Sequence, residues 1–296
     1  MRRLAAPFEL LRVRQWIKNL FVAAPLLFAL ELTNPESLLE AVAAFFAFCL
    51  GASAVYTIND IADRKKDAAH PRKKNRPLAR GALSPAAAAV EALILLAGAA
   101  VVALQVNTDF VLVLAIYVAI NLAYTALLKR VVLVDVLVIA VGFVLRVEGG
   151  SAAIGVESSR WIILSTLFLA LFLGLGKRRG EIAGLGNAEL QRPGLRLYSK
   201  GALDALLVAT VALTVIAYAL YTAAPETVAR LGTNYLVYTV PLVVYGLFRY
   251  YLLIVSNGSF ADPTDLVTKD VGVIVCVLLW AVSVVLLIYI PRLGQG

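Results

Sequence analysis

The chain has 296 residues, of which 61% are hydrophobic and 16% charged, against about 45–50% and about 25% in an ordinary soluble chain. That excess of apolar surface excludes a water-soluble domain and requires lipid as the solvent. The net charge of +8 does not point to nucleic acid, because in a membrane chain the position of each charge matters more than the sum. A membrane-crossing helix needs about 20 mostly apolar residues. By that rule spans are predicted near 16–31, 38–58, 86–106, 109–128, 131–148, 160–176, 202–222, 234–255 and 270–290. The expectation is an all-α polytopic protein of about nine helices forming one membrane domain over 1–296. The first span is the shortest and carries Pro25. Its apolar run follows Arg12, Arg14 and Lys18 as a secretory leader would, but no small-residue cleavage site comes after it, so it is read as a span. Cys49 and Cys276 both lie in apolar runs and read as buried, inert thiols.

Placing the N-terminus inside and alternating the spans sorts the charges. Of the 27 lysines and arginines, all but Arg146, Arg160, Arg230 and Arg292 fall on the same side. Basic residues are retained on the cytoplasmic side, so the expected topology is N-in, C-out in the cell membrane. The loops expected outside are short and sparsely charged, which leaves function to the membrane interior and its cytoplasmic mouth.

The end of the second span is the most informative stretch. Asn59-Asp60-Ile61-Ala62-Asp63 continues to Asp67, then through His70-Pro71 to Asn75-Arg76-Pro77-Leu78. On a helix, Asp60, Asp63 and Asp67 stand at i, i+3 and i+7, which puts three carboxylates on one face. Clustered carboxylates repel unless a cation lies among them. Magnesium takes hard oxygen ligands and is commonly shared between one or two carboxylates and substrate phosphates. Asn59, Asp60, Asp63 and Asp67 are the expected metal residues. The competing reading is a solvated helix end whose acids pair with Arg64, Lys65 and Lys66. Against it, Asn59 and Asp60 follow the apolar run from Phe45 to Ile58 directly, at a depth where polar groups are costly.

This motif resembles the first signature of the UbiA superfamily of intramembrane prenyltransferases. The resemblance implies a nine-helix bundle in which the acids hold magnesium against a diphosphate, in a cavity open to the cytoplasm. Ordinary members carry a second aspartate-rich motif after the sixth span. Here the corresponding stretch is Gly176-Lys177-Arg178-Arg179-Gly180-Glu181, basic with one acid, which suits an additional phosphate better than a second metal. Further stretches resemble one branch, the polyprenyl-phosphate phosphoribosyltransferases. They include Arg14-Gln15-Trp16-Ile17-Lys18-Asn19, Ala52 to Tyr56, His70-Pro71, Leu128-Lys129, and Arg146 with Gly149-Gly150.

That branch implies transfer of 5-phosphoribosyl from phosphoribosyl pyrophosphate to a polyprenyl phosphate of decaprenyl type, in the service of the cell envelope. Asp60, Asp63 and Lys177 are then the expected catalytic residues. Lys18, Asn59, Arg76, Lys129, Arg146, Arg178, Glu181 and Tyr198 are the expected substrate contacts. Asp135 is read either as an ion-pair partner of Lys129 or as a site residue. Arg146, beside Glu148, is read either as half of a local pair or as a substrate contact. His70, and Tyr56 with Trp16, are read as a structural loop residue and interfacial aromatics. Two other functions stay open: prenyl transfer from an isoprenoid diphosphate to an aromatic acceptor, and lipid binding or transport without chemistry. The oligomeric state is also open, a homo-oligomer included.

Overall fold

Helix starts in this chain follow its capping residues. Asn34 accepts a hydrogen bond from the Glu36 N–H and Pro35 fills the first turn, opening α3 (Pro35–Ala68). Ser84 and Asn107 do the same for α4 (Pro85–Val106) and α5 (Thr108–Ala126). The computed structural model describes residues 6–69, 73–184, 198–257 and 269–293. Among them the regular elements are all helical. Among the described residues eight helices are long and apolar enough to cross a membrane. His70, expected to be a structural loop residue, lies outside the described residues.

The first expected span takes a different form from the others. After the short α1 (Ala6–Leu10), a 3-10 helix of 11 residues, Val13–Ala23, runs into α2 (Ala24–Phe28), of 5 residues. Pro25 has no N–H to give the Phe21 carbonyl, and the Ala24 N–H takes that carbonyl in 3-10 register instead. A 3-10 helix rises about 2.0 Å per residue against about 1.5 Å in an α-helix, so the two pieces together rise about 30 Å. That matches a hydrocarbon core in length. The nine expected spans thus become eight long apolar helices and one thinner segment.

The described residues group into two compact units. The first takes in the segment up to Leu26, then Glu31–Lys129, and α6 (Val134–Ala153) from Leu145 onward. Here α3 packs on α4, α5 and the 3-10 segment. Phe48 is wholly buried, with the rings of Phe110 and Tyr117 edge-on at 5.8 and 5.2 Å. Asn107 caps α5 and also donates to the Ala152 and Ala153 carbonyls at the end of α6. The Gly149-Gly150 pair is a packing requirement. A Cβ at Gly149 would lie 2.5 Å from the Phe48 ring, and one at Gly150 would lie 2.0 Å from the Val22 carbonyl oxygen. Gly150→Ala is expected to lower stability by about 1–3 kcal/mol, because backbone cannot yield as a side chain can. Thermal unfolding in detergent checks this, with Gly201→Ala, where a Cβ meets nothing within 4 Å, as the neutral comparison.

The second unit holds the first half of α6, together with α7 (Arg160–Gly184), α8 (Lys200–Ala223), the short α9 (Pro225–Leu231), α10 (Val240–Asn257) and α11 (Val271–Leu293). Its core sets Phe172 against Tyr250, rings 5.4 Å apart, among Leu203, Leu207 and Ile254. Large apolar side chains such as Leu93 and Leu104, 65% and 72% exposed, have no place in water. They are the lipid-facing surface of an integral membrane protein.

Candidate active site

The long α3 carries the acidic motif. Its 34 residues rise about 51 Å, well beyond the hydrocarbon thickness, so one continuous helix holds Asn59, Asp60, Asp63 and Asp67. Each of the three carboxylates is met by a cation, and Asp60 and Asp67 share one. Arg12 Nη2 donates to both oxygens of Asp60 at 2.6 Å, and Arg76 Nη1 reaches Asp60 at 2.9 Å and Asp67 at 2.6 Å. Lys129 Nζ donates to Asp63 at 2.8 Å and to the Asn59 side-chain oxygen at 3.2 Å. Asp60 is 2% exposed, so its charge depends on these partners rather than on water.

Each cation is delivered by local structure. Arg12 sits in the left-handed region at φ 50, ψ 47, between α1 and the 3-10 helix, with its guanidinium 5.3 Å over the Tyr56 ring. The αL conformation is sterically costly for an arginine. Its surroundings hold it there: Ser53 Oγ donates to the Leu11 carbonyl, and Trp16 Nε1 reaches both Ser53 Oγ and that carbonyl. Arg76 follows the 3-10 turn Lys73–Asn75, with its N–H bound to the Lys73 carbonyl. Arg80 ties this loop to α1 through Glu9. Arg12 was not among the residues expected in the site; the sequence shows it only as one of several basic residues before the first span. Tyr56 and Trp16, expected as interfacial aromatics, stand beside Arg12 and its neighbour Leu11.

Lys18 is half-buried on the 3-10 helix. Arg146 is 4% exposed in the core of the first unit. Its Nε donates to the Asn19 side-chain oxygen at 2.7 Å, its Nη2 to the Tyr117 hydroxyl at 2.8 Å, and it lies 4.7 Å over the Tyr117 ring.

In the second unit the basic run at the end of α7 differs from its sequence reading. Arg178, 1% exposed, donates from Nε to Asp135 at 2.7 Å and from Nη1 to Glu181 at 2.6 Å. Arg179 pairs with Asp204 at 2.8 Å. A guanidinium held between two carboxylates is a structural cation, so Arg178 is not placed as a free phosphate clamp. Asp135 pairs with Arg178, and Lys129, its expected partner, with Asp63. The reason is positional: Arg178 and Glu181 share a face at i, i+3, while the chain distance from Asp135 hides that partnership. The Tyr198 hydroxyl accepts from the Leu133 N–H at 2.8 Å and donates to Asp135 at 3.2 Å. Burial pushes the Tyr198 phenol up to about 12, so it stays a proton donor through the neutral range. Lys177 is half-buried beside this cluster.

Among the described residues no three His, Cys, Asp or Glu side chains are gathered as a metal cage. The donor set at the end of α3 is all oxygen, and Asp60 carries two cations on one buried carboxylate. A magnesium ion shared with substrate phosphates fits this set, since such an ion needs only one or two carboxylates from the protein.

The sequence matches the UbiA prenyltransferase family over residues 19–262. The decaprenyl-phosphate phosphoribosyltransferase of Corynebacterium glutamicum is 31% identical over 292 residues, covering 95% of this chain and 86% of that protein. The protein of the same description from Mycolicibacterium smegmatis is 30% identical over 291 residues, covering 94% and 91%. A UbiA homolog from Archaeoglobus fulgidus, solved bound to GPP and Mg2+, aligns with a TM-score of 0.73 at 23% identity, over 95% of this chain and 99% of that chain. The fold is therefore the same. The acidic motif, the helical fold and these matches agree: the chain belongs to the UbiA prenyltransferase family.

Proposed function

We propose that this membrane transferase moves 5-phosphoribosyl from phosphoribosyl pyrophosphate to a polyprenyl phosphate of decaprenyl type, releasing pyrophosphate. One observation carries the reading: the end of α3 gathers oxygen ligands and cations suited to a diphosphate, while the end of α7 carries Lys177 where a second acidic motif would stand. Relatives described as decaprenyl-phosphate phosphoribosyltransferases, similar along nearly the whole chain, support it.

In this reading Asp60 and Asp63 would hold the magnesium, with Asn59 and Asp67 beside them. Bound there, the ion would neutralise the diphosphate as it leaves. Arg76 and Lys129, already at the acids, bind the same diphosphate. The C1–O bond of the donor breaks and its electron pair leaves with pyrophosphate. An oxygen of the lipid phosphate forms the new bond to C1. That nucleophile is already anionic, so the step needs no general base. Lys177 and Lys18 bind phosphate groups, and Arg178, Glu181 and Tyr198 set the backbone around Lys177. Arg146 organises the core through Asn19 and Tyr117. The concentration of basic residues on one set of loops supports an N-in, C-out orientation, with the acidic end facing the cytoplasm.

The test uses purified protein in detergent with magnesium, polyprenyl phosphate and donor radiolabelled in its ribose. Label is expected in the lipid fraction, and magnesium removal should abolish the transfer. Turnover of a polyprenyl diphosphate with an aromatic acceptor, and none of this donor, would assign ordinary prenyl transfer instead.

A further inference from the structure

In the first unit three carboxylates and three cations cancel: Asp60, Asp63 and Asp67 against Arg12, Arg76 and Lys129. Every acid offered to a divalent ion already has a fixed positive charge within 2.6–2.9 Å. A metal ion arriving alone must displace guanidinium from a carboxylate that is 2% exposed. It would leave that guanidinium without its counter-charge, next to a new dication. A diphosphate changes the balance. It carries more negative charge than one divalent ion cancels, and guanidinium matches phosphate oxygens in planar geometry. Arg12 and Arg76 keep 23% and 26% of their side chains exposed, so an incoming anion can reach them while Asp60 itself is covered.

We propose that Arg12, with Arg76, guards Asp60 by ion exchange. The pair excludes metal alone, admits metal and diphosphate together, and passes from the carboxylate to the phosphate oxygens as they enter. The costly αL backbone at Arg12 and the Tyr56 ring beneath it fix one guanidinium at the entrance to the acid. This rests on the reading of the α3 acids as metal ligands, but not on which group is transferred, so inorganic pyrophosphate serves as the probe.

The experiment is equilibrium dialysis of the full chain in detergent, with radiolabelled manganese alone and with radiolabelled pyrophosphate at saturating magnesium. Arg12→Gln is expected to bind manganese alone about tenfold more tightly and magnesium pyrophosphate about tenfold more weakly, a coupling of ordinary size. Arg12→Lys, which keeps the charge, should lie closer to the parent in both. Arg76→Gln carries the same prediction if Arg12→Gln does not yield folded protein. The two changes must be opposite in sign, since a residue that merely shapes the site would shift both affinities in one direction. Manganese binding no tighter than in the parent, or affinities moving together, overturns the guard. Pyrophosphate binding by the parent that ignores both magnesium and Asp60→Asn would instead overturn the metal reading beneath it.

Discussion

Asp60→Asn is expected to reduce transfer about a thousandfold, or about 4 kcal/mol of transition-state stabilisation, while the protein remains folded and monodisperse. The substitution preserves shape and removes one charge. That charge is the one on which Arg12 and Arg76 converge, and it is the most deeply covered of the three acids at the site. Asp63→Asn should follow closely, because Asp63 and Asn59 share Lys129. Asp67→Asn should cost less, since Arg76 retains Asp60 when Asp67 is gone. Initial rates for the three variants check the order. A protein in which Asp67→Asn is the most damaged would need its metal placed further along the helix.

Arg178→Met is expected to act on stability rather than on the chemical step. It removes the cation shared by Asp135 and Glu181 and leaves two carboxylates in a site where the arginine is 1% exposed. Breaking a buried pair by deleting one partner costs about 3–5 kcal/mol. Arg178→Lys should recover little, because a single ammonium cannot span both carboxylates as the guanidinium fork does. Adding Asp135→Asn to Arg178→Met should restore part of the loss by removing one orphaned charge. Thermal unfolding of the single and double variants measures this. Unchanged unfolding of Arg178→Met would return Arg178 to the set of substrate contacts.

Much of this was legible because the membrane imposes a simple code. A run such as Phe45 to Ile58 has one reading in lipid, and the acids that follow it fall on one helix in a fixed order. The first span was less legible: length and Pro25 marked it as unusual, but apolar content does not distinguish a 3-10 helix from an α-helix. The site divided in the same way. Asp60, Asp63 and Asp67 announce themselves through spacing, whereas Arg12 meets Asp60 across 48 residues and no local pattern links them. The basic run at Lys177 differs as to charge: two of its three cations pair with Asp135, Glu181 and Asp204, and of these only Glu181 stands near them in sequence. Gly149 and Gly150 stand out in the sequence only through family likeness, and the structure supplies the physical cause, the close approach of Phe48 and Val22.

The most direct test of the account follows the acceptor's phosphate. Polyprenyl phosphate with heavy oxygen in its phosphate is incubated with enzyme, magnesium and phosphoribosyl pyrophosphate, and the products are weighed by mass spectrometry. Under phosphoribosyl transfer the lipid product gains one phosphoribosyl group and keeps all the heavy oxygen, while the released pyrophosphate contains none. Free phosphate released with all four of its oxygens heavy, and no phosphoribosyl group on the lipid, would mean that the lipid's own carbon–oxygen bond had broken, and would contradict phosphoribosyl transfer.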